Sequence, residues 1–167
     1  MNKKMLYIMC GAAGSGKTTW VRENATPGVS AHISRDRIRF EMVSEDEYYF
    51  SKEDEVYAEF VRQIAQALQS PWVEEVYADA THLNKKAREK LINELAAYDV
   101  EYLLTAIVIR PSLEETLIRN ANRTGRENVP ESVIKNMYNS YTHPKEDNLN
   151  YSYIWVNDEY VYGKVSM

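Results

Sequence analysis

The chain has 167 residues, 44% hydrophobic and 27% charged, the balance of one globular domain rather than a disordered tail. Its single cysteine, Cys10, excludes an internal disulfide framework and a four-cysteine zinc site, so a reducing, cytoplasmic setting is expected. No apolar run nears the roughly 20 residues of a membrane span, and a formal charge of -5 excludes a wholly basic nucleic-acid surface while leaving room for a local basic channel.

Taken in chain order, short apolar runs alternate with amphipathic stretches, the pattern of βαβ units around a parallel sheet. The first strand is predicted at Met5 to Cys10. It runs straight into Gly11-Ala12-Ala13-Gly14-Ser15-Gly16-Lys17-Thr18, which matches G-x-x-x-x-G-K-[ST] and opens a helix containing Trp20 and Val21. Glycines in this setting let the backbone curl so that amides face phosphate oxygens, and the helix N-terminus adds partial positive charge. Gly11, Ala13, Gly14, Ser15, Gly16, Lys17, Thr18 and Thr19 form the expected nucleotide-contacting set, with Lys17 reaching the β- and γ-phosphates and Thr18 offering a hydroxyl to Mg²⁺.

A second strand, Val29 to Ile33, leads into Ser34-Arg35-Asp36-Arg37-Ile38-Arg39. A carboxylate and an arginine three residues later share one face of a helix's first turn. Asp36 there suits a general base for an attacking hydroxyl, and Arg39 a forked grip on an acceptor phosphate; a surface ion pair is the bland alternative. The following stretch, Ser44 to Glu59, carries Glu45, Asp46, Glu47, Glu53, Asp54, Glu55 and Glu59 against Lys52 alone, a net of -6. It either fences the acceptor site or serves solubility. Within and beyond it, Val56, Phe60, Ile64 and Leu68 recur at steps of four, so Asp54 to Leu68 is predicted as a helix with one buried face.

The third strand, Val73 to Ala78, ends at Asp79, where a carboxylate can hold Mg²⁺ or merely cap a loop. Thr81, His82 and Asn84 follow as candidates for the acceptor site, whereas His32 and His143 read as structural. Ala87, Leu91, Leu95 and Tyr98 mark another one-faced helix, with Lys85 and Lys86 at its basic start. The fourth strand is Tyr102 to Ile109, and Ser112-Leu113-Glu114-Glu115 has capping-box spacing for a helix. The run Arg119 to Arg126, through Thr124-Gly125, reads as a mobile lid at about 119–130, with Arg119 and Arg123 on one face to close on a transferring phosphoryl group; a solvated helix end is the alternative. A helix from Pro130 to Tyr141 and a last strand, Tyr153 to Val156, complete the set. The expected architecture is an α/β, three-layer P-loop kinase fold across residues 1–167, with a five-stranded parallel sheet flanked by helices and a helical lid.

These segments resemble the kinase module of bacteriophage polynucleotide kinase-phosphatase, within the small P-loop kinases that include zeta-toxin-like enzymes. The likeness rests on Gly-Ser-Gly-Lys-Thr-Thr-Trp at 14–20, Ser-Arg-Asp-Arg-Ile-Arg at 34–39, Asp-Ala-Thr-His-Leu-Asn at 79–84, Ile-Arg-Asn-Ala-Asn-Arg-Thr-Gly at 118–125, Val-Pro at 129–130 and Met-Tyr at 137–138. The family's usual Asn before the Arg-Asp pair is Ser34 here, and the aspartate after the third strand stands one position displaced. The resemblance implies that Lys17 and Thr18 serve ATP and Mg²⁺, Asp36 is the general base, Arg39 grips the phosphate beside the acceptor and Arg123 stabilises the transferred group. The roughly 26 residues after Tyr141 are too few for a phosphatase domain. The expected activity is ATP- and Mg²⁺-dependent phosphorylation of the 5′-hydroxyl of a DNA or RNA end. A kinase of a small hydroxylated metabolite, nucleoside or nucleotide-sugar is the alternative, and an ATP-binding switch or adaptor the non-enzymatic one.

Overall fold

A computed structural model describes residues 3–147 and the backbone of 152–156. Five strands, β1 (Lys4–Cys10), β2 (Ser30–Ser34), β3 (Glu75–Asp79), β4 (Tyr102–Ile109) and β5 (Ser152–Val156), form one sheet in the order β2-β3-β1-β4-β5. Every pairing is parallel. The all-parallel order forces each strand's successor to cross over through a helix, which the sequence alternation anticipates. Both neighbours of β1 come from later in the chain, so the loop that leaves β1 opens over the middle of the sheet edge.

The helices are α1 (Lys17–Asn24), α2 (Arg35–Met42), α3 (Glu53–Gln69), α4 (Lys85–Leu95), α5 (Leu113–Ala121) and α6 (Glu131–Asn139). Alternation along β1 divides the core. Leu6, Ile8 and Cys10 face a cluster with Val56, Phe60, Ile64 and Leu68 of α3 and Leu91 and Leu95 of α4. Met9 faces the other side with Val21 of α1 and Tyr77, Ile107 and Ile109. The sheet is thus the middle of three layers. Burial of each large α3 side chain stabilises the fold by about 1.5–3 kcal/mol.

Differences from the sequence reading sit at element ends. α4 starts two residues before Ala87 because the Asn84 side chain accepts from the Ala87 amide at 3.0 Å and caps it. β3 starts at Glu75 rather than Val73, since the Glu74 and Glu75 amides both turn to the Val29 carbonyl. Ser112 accepts from the Glu115 amide at 3.0 Å, so the predicted cap of α5 is formed. Among the described residues, no helix is long and apolar enough to cross a membrane.

A buried ion pair ties three parts of the chain together. Arg88 and Asp147 are both fully buried, with Nε donating to Oδ2 at 2.5 Å and Nη2 to Oδ1 at 2.8 Å. Arg88 also donates to the carbonyls of His82 and Thr142. One guanidinium therefore clamps α4, the segment after β3 and the turn after α6.

Candidate active site

The loop between β1 and α1 takes the shape its glycines permit. Gly14 and Gly16 have φ of +79° and +104°, a region that L side chains avoid. Gly11 is required by space instead: a Cβ there would lie 2.5 Å from the Ile109 carbonyl oxygen and 2.7 Å from Ser15 Oγ. The amides at the start of α1 have no partner within the helix, so they form a donor cluster at a helix N-terminus. Lys17 folds back over the loop and donates from Nζ to the Ala12 carbonyl at 2.8 Å. Burial lowers its pKa, as does the charge of Arg123, while Asp79 and Asp36 pull the other way.

β3 delivers Asp79 beside that loop. Its Oδ2 accepts from Thr18 Oγ1 and from His32 Nε2, each at 2.8 Å. Burial works against the Asp79 charge, but the hydrogen bonds of His32 and Thr18 and the charge of Lys17 prevail and hold its pKa below the ordinary carboxylate value. An ionised carboxylate must accept, so His32 carries its proton on Nε2. The result is a charged oxygen beside a hydroxyl oxygen, the donor type that Mg²⁺ takes. The pair fits a magnesium that draws its remaining ligands from phosphates and water. Among the described residues no cluster of three or more His, Cys, Asp or Glu could bind a metal without such help.

β2 and α2 bring Asp36 to the same place. Ser34, paired with Asp79 in the sheet register, caps α2 by accepting from the Arg37 amide at 3.2 Å, a task that Ser and Asn perform alike. Asp36 lies in the first turn, about half exposed, and accepts from Arg39 Nη1 at 2.5 Å. Arg39 is buried and its guanidinium is already engaged: Nε and Nη2 fork onto Glu53 Oε1 and Oε2 at 2.5 and 3.0 Å. Burial disfavours the Arg39 charge, yet the Glu53 contacts more than offset this and raise its pKa. The Arg39 expected to grip an acceptor phosphate lies in the cleft beside Asp36, with its guanidinium engaged. Arg39 holds Asp36 and Glu53, and a phosphate would have to compete with Glu53.

A cleft of about 910 Å³ joins these groups, lined by Lys17, Thr18, Asp36, Arg39, Asp79, Thr81, Arg119 and Arg123 among others. Arg119 donates from Nη1 to the Ser15 carbonyl at 2.8 Å and from Nε to Glu115 at 3.0 Å, so it braces the loop. Arg123 faces the cleft and makes no ion pair among the described residues.

Other expected members lie elsewhere. Gly11 and Ser15 belong to the loop but do not line the cleft, and the buried Ser15 Oγ is unpartnered. His82 is turned away from the acceptor side. Its φ is +40°, its ring is buried against Phe60, and Nδ1 bonds the Met9 carbonyl at 2.8 Å, which corrects its assignment to the acceptor. Burial drops its pKa to about 4. Asn84 is spent on its cap, and Lys85 pairs with Glu89 on α4 outside the cleft.

Four participants escape a reading by local spacing. Glu53, fourteen residues after Arg39, is one carboxylate among seven in its stretch. His32 reads as structural but supports Asp79. Arg126 donates to the Val43 and Phe40 carbonyls at 2.6 and 3.2 Å, tying the turn at 125–127 to the end of α2. Met137 on α6 takes a hydrogen bond on sulfur from the Ala13 amide at 3.4 Å.

Residues 6–144 match a family described as an AAA domain. The chain belongs to that AAA domain family. Solved structures share the P-loop kinase fold. One is a chain of the Pnkp1/Rnl/Hen1 RNA repair complex, 21% identical with a TM-score of 0.68, covering 84% of this chain and 44% of its own. A fungal RNA kinase is 17% identical with a TM-score of 0.63, covering 93% and 75%. A sugar kinase from Janibacter is 14% identical with a TM-score of 0.57, covering 92% and 84%. This AAA domain chain spans less than half the length of the RNA repair chain it matches. No curated protein matches it by sequence.

Proposed function

We propose that this AAA domain protein is an ATP-dependent kinase that phosphorylates the 5′-hydroxyl of a nucleic-acid end. The observation that carries the reading is that the half-exposed carboxylate of Asp36 opens into the same cleft as Lys17 and the Thr18–Asp79 pair. A base for a hydroxyl and a cradle for a triphosphate in one space are what phosphoryl transfer needs. The likeness to the RNA repair complex and the fungal RNA kinase favours a polynucleotide acceptor.

In this scheme the amides of Gly14 and of Gly16 to Thr19 receive the phosphates, and Lys17 leaves the Ala12 carbonyl to reach the β- and γ-oxygens. Thr18 and Asp79 would hold Mg²⁺, which supplies neutralisation of the phosphate charge when bound. Asp36 takes the proton of the acceptor hydroxyl as its oxygen bonds to the γ-phosphorus. The bond from that phosphorus to the β,γ-bridging oxygen breaks, and ADP departs with the electron pair. Arg123, which lines the cleft, would offset charge on the transferred group, Arg119 would act through the loop carbonyl it holds, and Thr81 would meet the acceptor. The residues from 119 to 130 serve as the lid.

A second reading, a kinase of a phosphate-free sugar or nucleoside, is favoured by the Glu53 fork, which occupies the arginine that an acceptor phosphate would use. The likeness to a sugar kinase is compatible with it. Incubation with γ-labelled ATP and a panel of 5′-hydroxyl oligonucleotides, nucleosides and sugars decides between them. Label on oligonucleotide ends supports the leading reading. Label on small acceptors alone overturns it, and ATP binding with no transfer to any acceptor leaves only a switch or adaptor.

A further inference from the structure

The acceptor side of the cleft ends in an aromatic step that the chemistry above does not use. Tyr48 and Phe50 are 72% and 44% exposed, and among the described residues Trp72 is the only other aromatic side chain so open to solvent. They lie in the turn before α3, closed by a hydrogen bond from the Ser51 amide to the Tyr48 carbonyl. Phe50 meets Tyr48 edge to face at 5.9 Å and Tyr49 at 4.7 Å with an interplanar angle of 86°. Tyr49 in turn rests on Phe40 at 6.0 Å. Phe50 is therefore held by its neighbours while part of its surface faces solvent, so a ligand that stacks on it loses little side-chain freedom.

The step is continuous with the reaction centre. Tyr49 and Phe50 line the cleft itself. The Arg39 guanidinium lies 4.9 Å from the Tyr49 ring and 5.4 Å from the Phe50 ring, and the same guanidinium bonds Asp36. The Tyr49 hydroxyl also reaches Asp36 Oδ1 at 3.5 Å, so the aromatic step adjoins the carboxylate that would deprotonate the acceptor. The charges around it restrict what can lie there. Asp46 and Glu47 precede this turn, Glu53 is shared between Arg35 and Arg39, and Arg126, whose guanidinium lies 4.8 Å from the Phe40 ring, donates to the Val43 and Phe40 carbonyls, so the cleft arginines nearest the aromatic step are already engaged by protein oxygens. An uncharged planar group is the part of a nucleotide that such a wall accepts.

We propose that Phe50 and Tyr48 form a stacking platform for the base of the acceptor's terminal nucleotide, so that the site grips a 5′-hydroxyl end through its base rather than through its first phosphate. The inference rests on the reading of the protein as a 5′-hydroxyl kinase. Because every base presents a π-face, the platform recognises the presence of a base and not its identity.

The test compares initial rates on two oligonucleotides of the same length, one with a normal 5′-terminal nucleotide and one with an abasic sugar there. In the unaltered protein the abasic end should show a KM about 5- to 150-fold higher, the range set by one base stacked on an aromatic ring, with kcat little different. Tyr48→Ala and Phe50→Ala should each shrink that KM ratio towards one, and Phe50→Tyr should restore it. Phe50→Ala alone is not decisive, since it also removes a ring near Arg39; Tyr48, which does not touch Arg39, supplies the independent variant. Equal KM values for the two ends in the unaltered protein, or a ratio untouched by Tyr48→Ala and Phe50→Ala, overturn the platform while the kinase reading stands, and leave the rings to a protein partner. Absence of label on every oligonucleotide end, with transfer to small acceptors, removes the reading and the platform together.

Discussion

Replacing Asp36 by Asn separates chemistry from architecture at this site. The substitution keeps the shape and one carbonyl oxygen to accept from Arg39 Nη1, now 2.5 Å away, but removes the group able to take a proton. Arg39 keeps both bonds to Glu53, so the guanidinium stays in place. Because the Asp36 side chain is 56% exposed, the lost ion pair should change stability by less than about 1 kcal/mol, or a Tm shift of no more than about 2–4 °C. General-base catalysis typically contributes about 10²- to 10⁴-fold, which corresponds to about 3–5 kcal/mol of activation free energy. Asp36→Asn should therefore lose two to four orders of magnitude in kcat with nearly the original fold. ATP affinity should change by no more than a few-fold, since Asp36 reaches Lys17 only through its field. The assay pairs steady-state transfer of labelled phosphate with calorimetric titration of ATP and a thermal melt. A variant whose kcat stays within about tenfold of the original refutes the general-base assignment. Loss of ATP affinity in step with turnover would place Asp36 at the nucleotide instead.

Lys17 is buried and its pKa is lowered by burial, so Lys17→Met should leave the melting temperature unchanged or higher while turnover falls at least about 100-fold; a transfer assay retaining most of its rate contradicts the role given to Nζ. Gly11→Ala forces a Cβ to within 2.5 Å of the Ile109 carbonyl, so the loop or β4 must shift, at a cost of about 1–3 kcal/mol. Denaturant unfolding and an ATP titration should both weaken, and a loop that tolerates the methyl without either change is not packed as described. His82 has its folded pKa lowered from 6.5 to about 4, so the unfolded chain binds the extra proton. Its contribution is complete above pH 6.5 and declines as pH falls towards 4, by about 2 kcal/mol between pH 7 and pH 5. His82→Asn, which suits the positive φ, should flatten that part of the stability profile measured by denaturant unfolding, and an unchanged slope sinks the claim.

Much of the site was legible because its parts are local. The strand-loop-helix order around Gly14, Gly16 and Lys17 is written in consecutive residues, and the i,i+3 spacing of Asp36 and Arg39 is a property of one helical turn. The same holds for α3, whose buried face is a repeat of four, and for the Ser112 cap of α5. The signals failed where a residue has two local options that differ only in direction. His82 follows Asp79 by three positions, yet a left-handed backbone turn sends its ring into the core rather than towards the acceptor.

Sequence alone thus determined the alternation of strands and helices, the phosphate-shaped loop and the placing of a carboxylate in the first turn after β2, because hydrophobic period and backbone freedom act over a few residues. Tertiary structure decided which charges are available. The packing of α2 against α3 shows that Arg39 is taken by Glu53, the pairing of β2 with β3 beside α1 that His32 and Thr18 share Asp79, and the return of the segment after α5 that Arg126 binds the end of α2. Coulomb and hydrogen-bond partners are chosen by distance in space, and separation along the chain carries almost no information about that distance once the chain has turned back on itself.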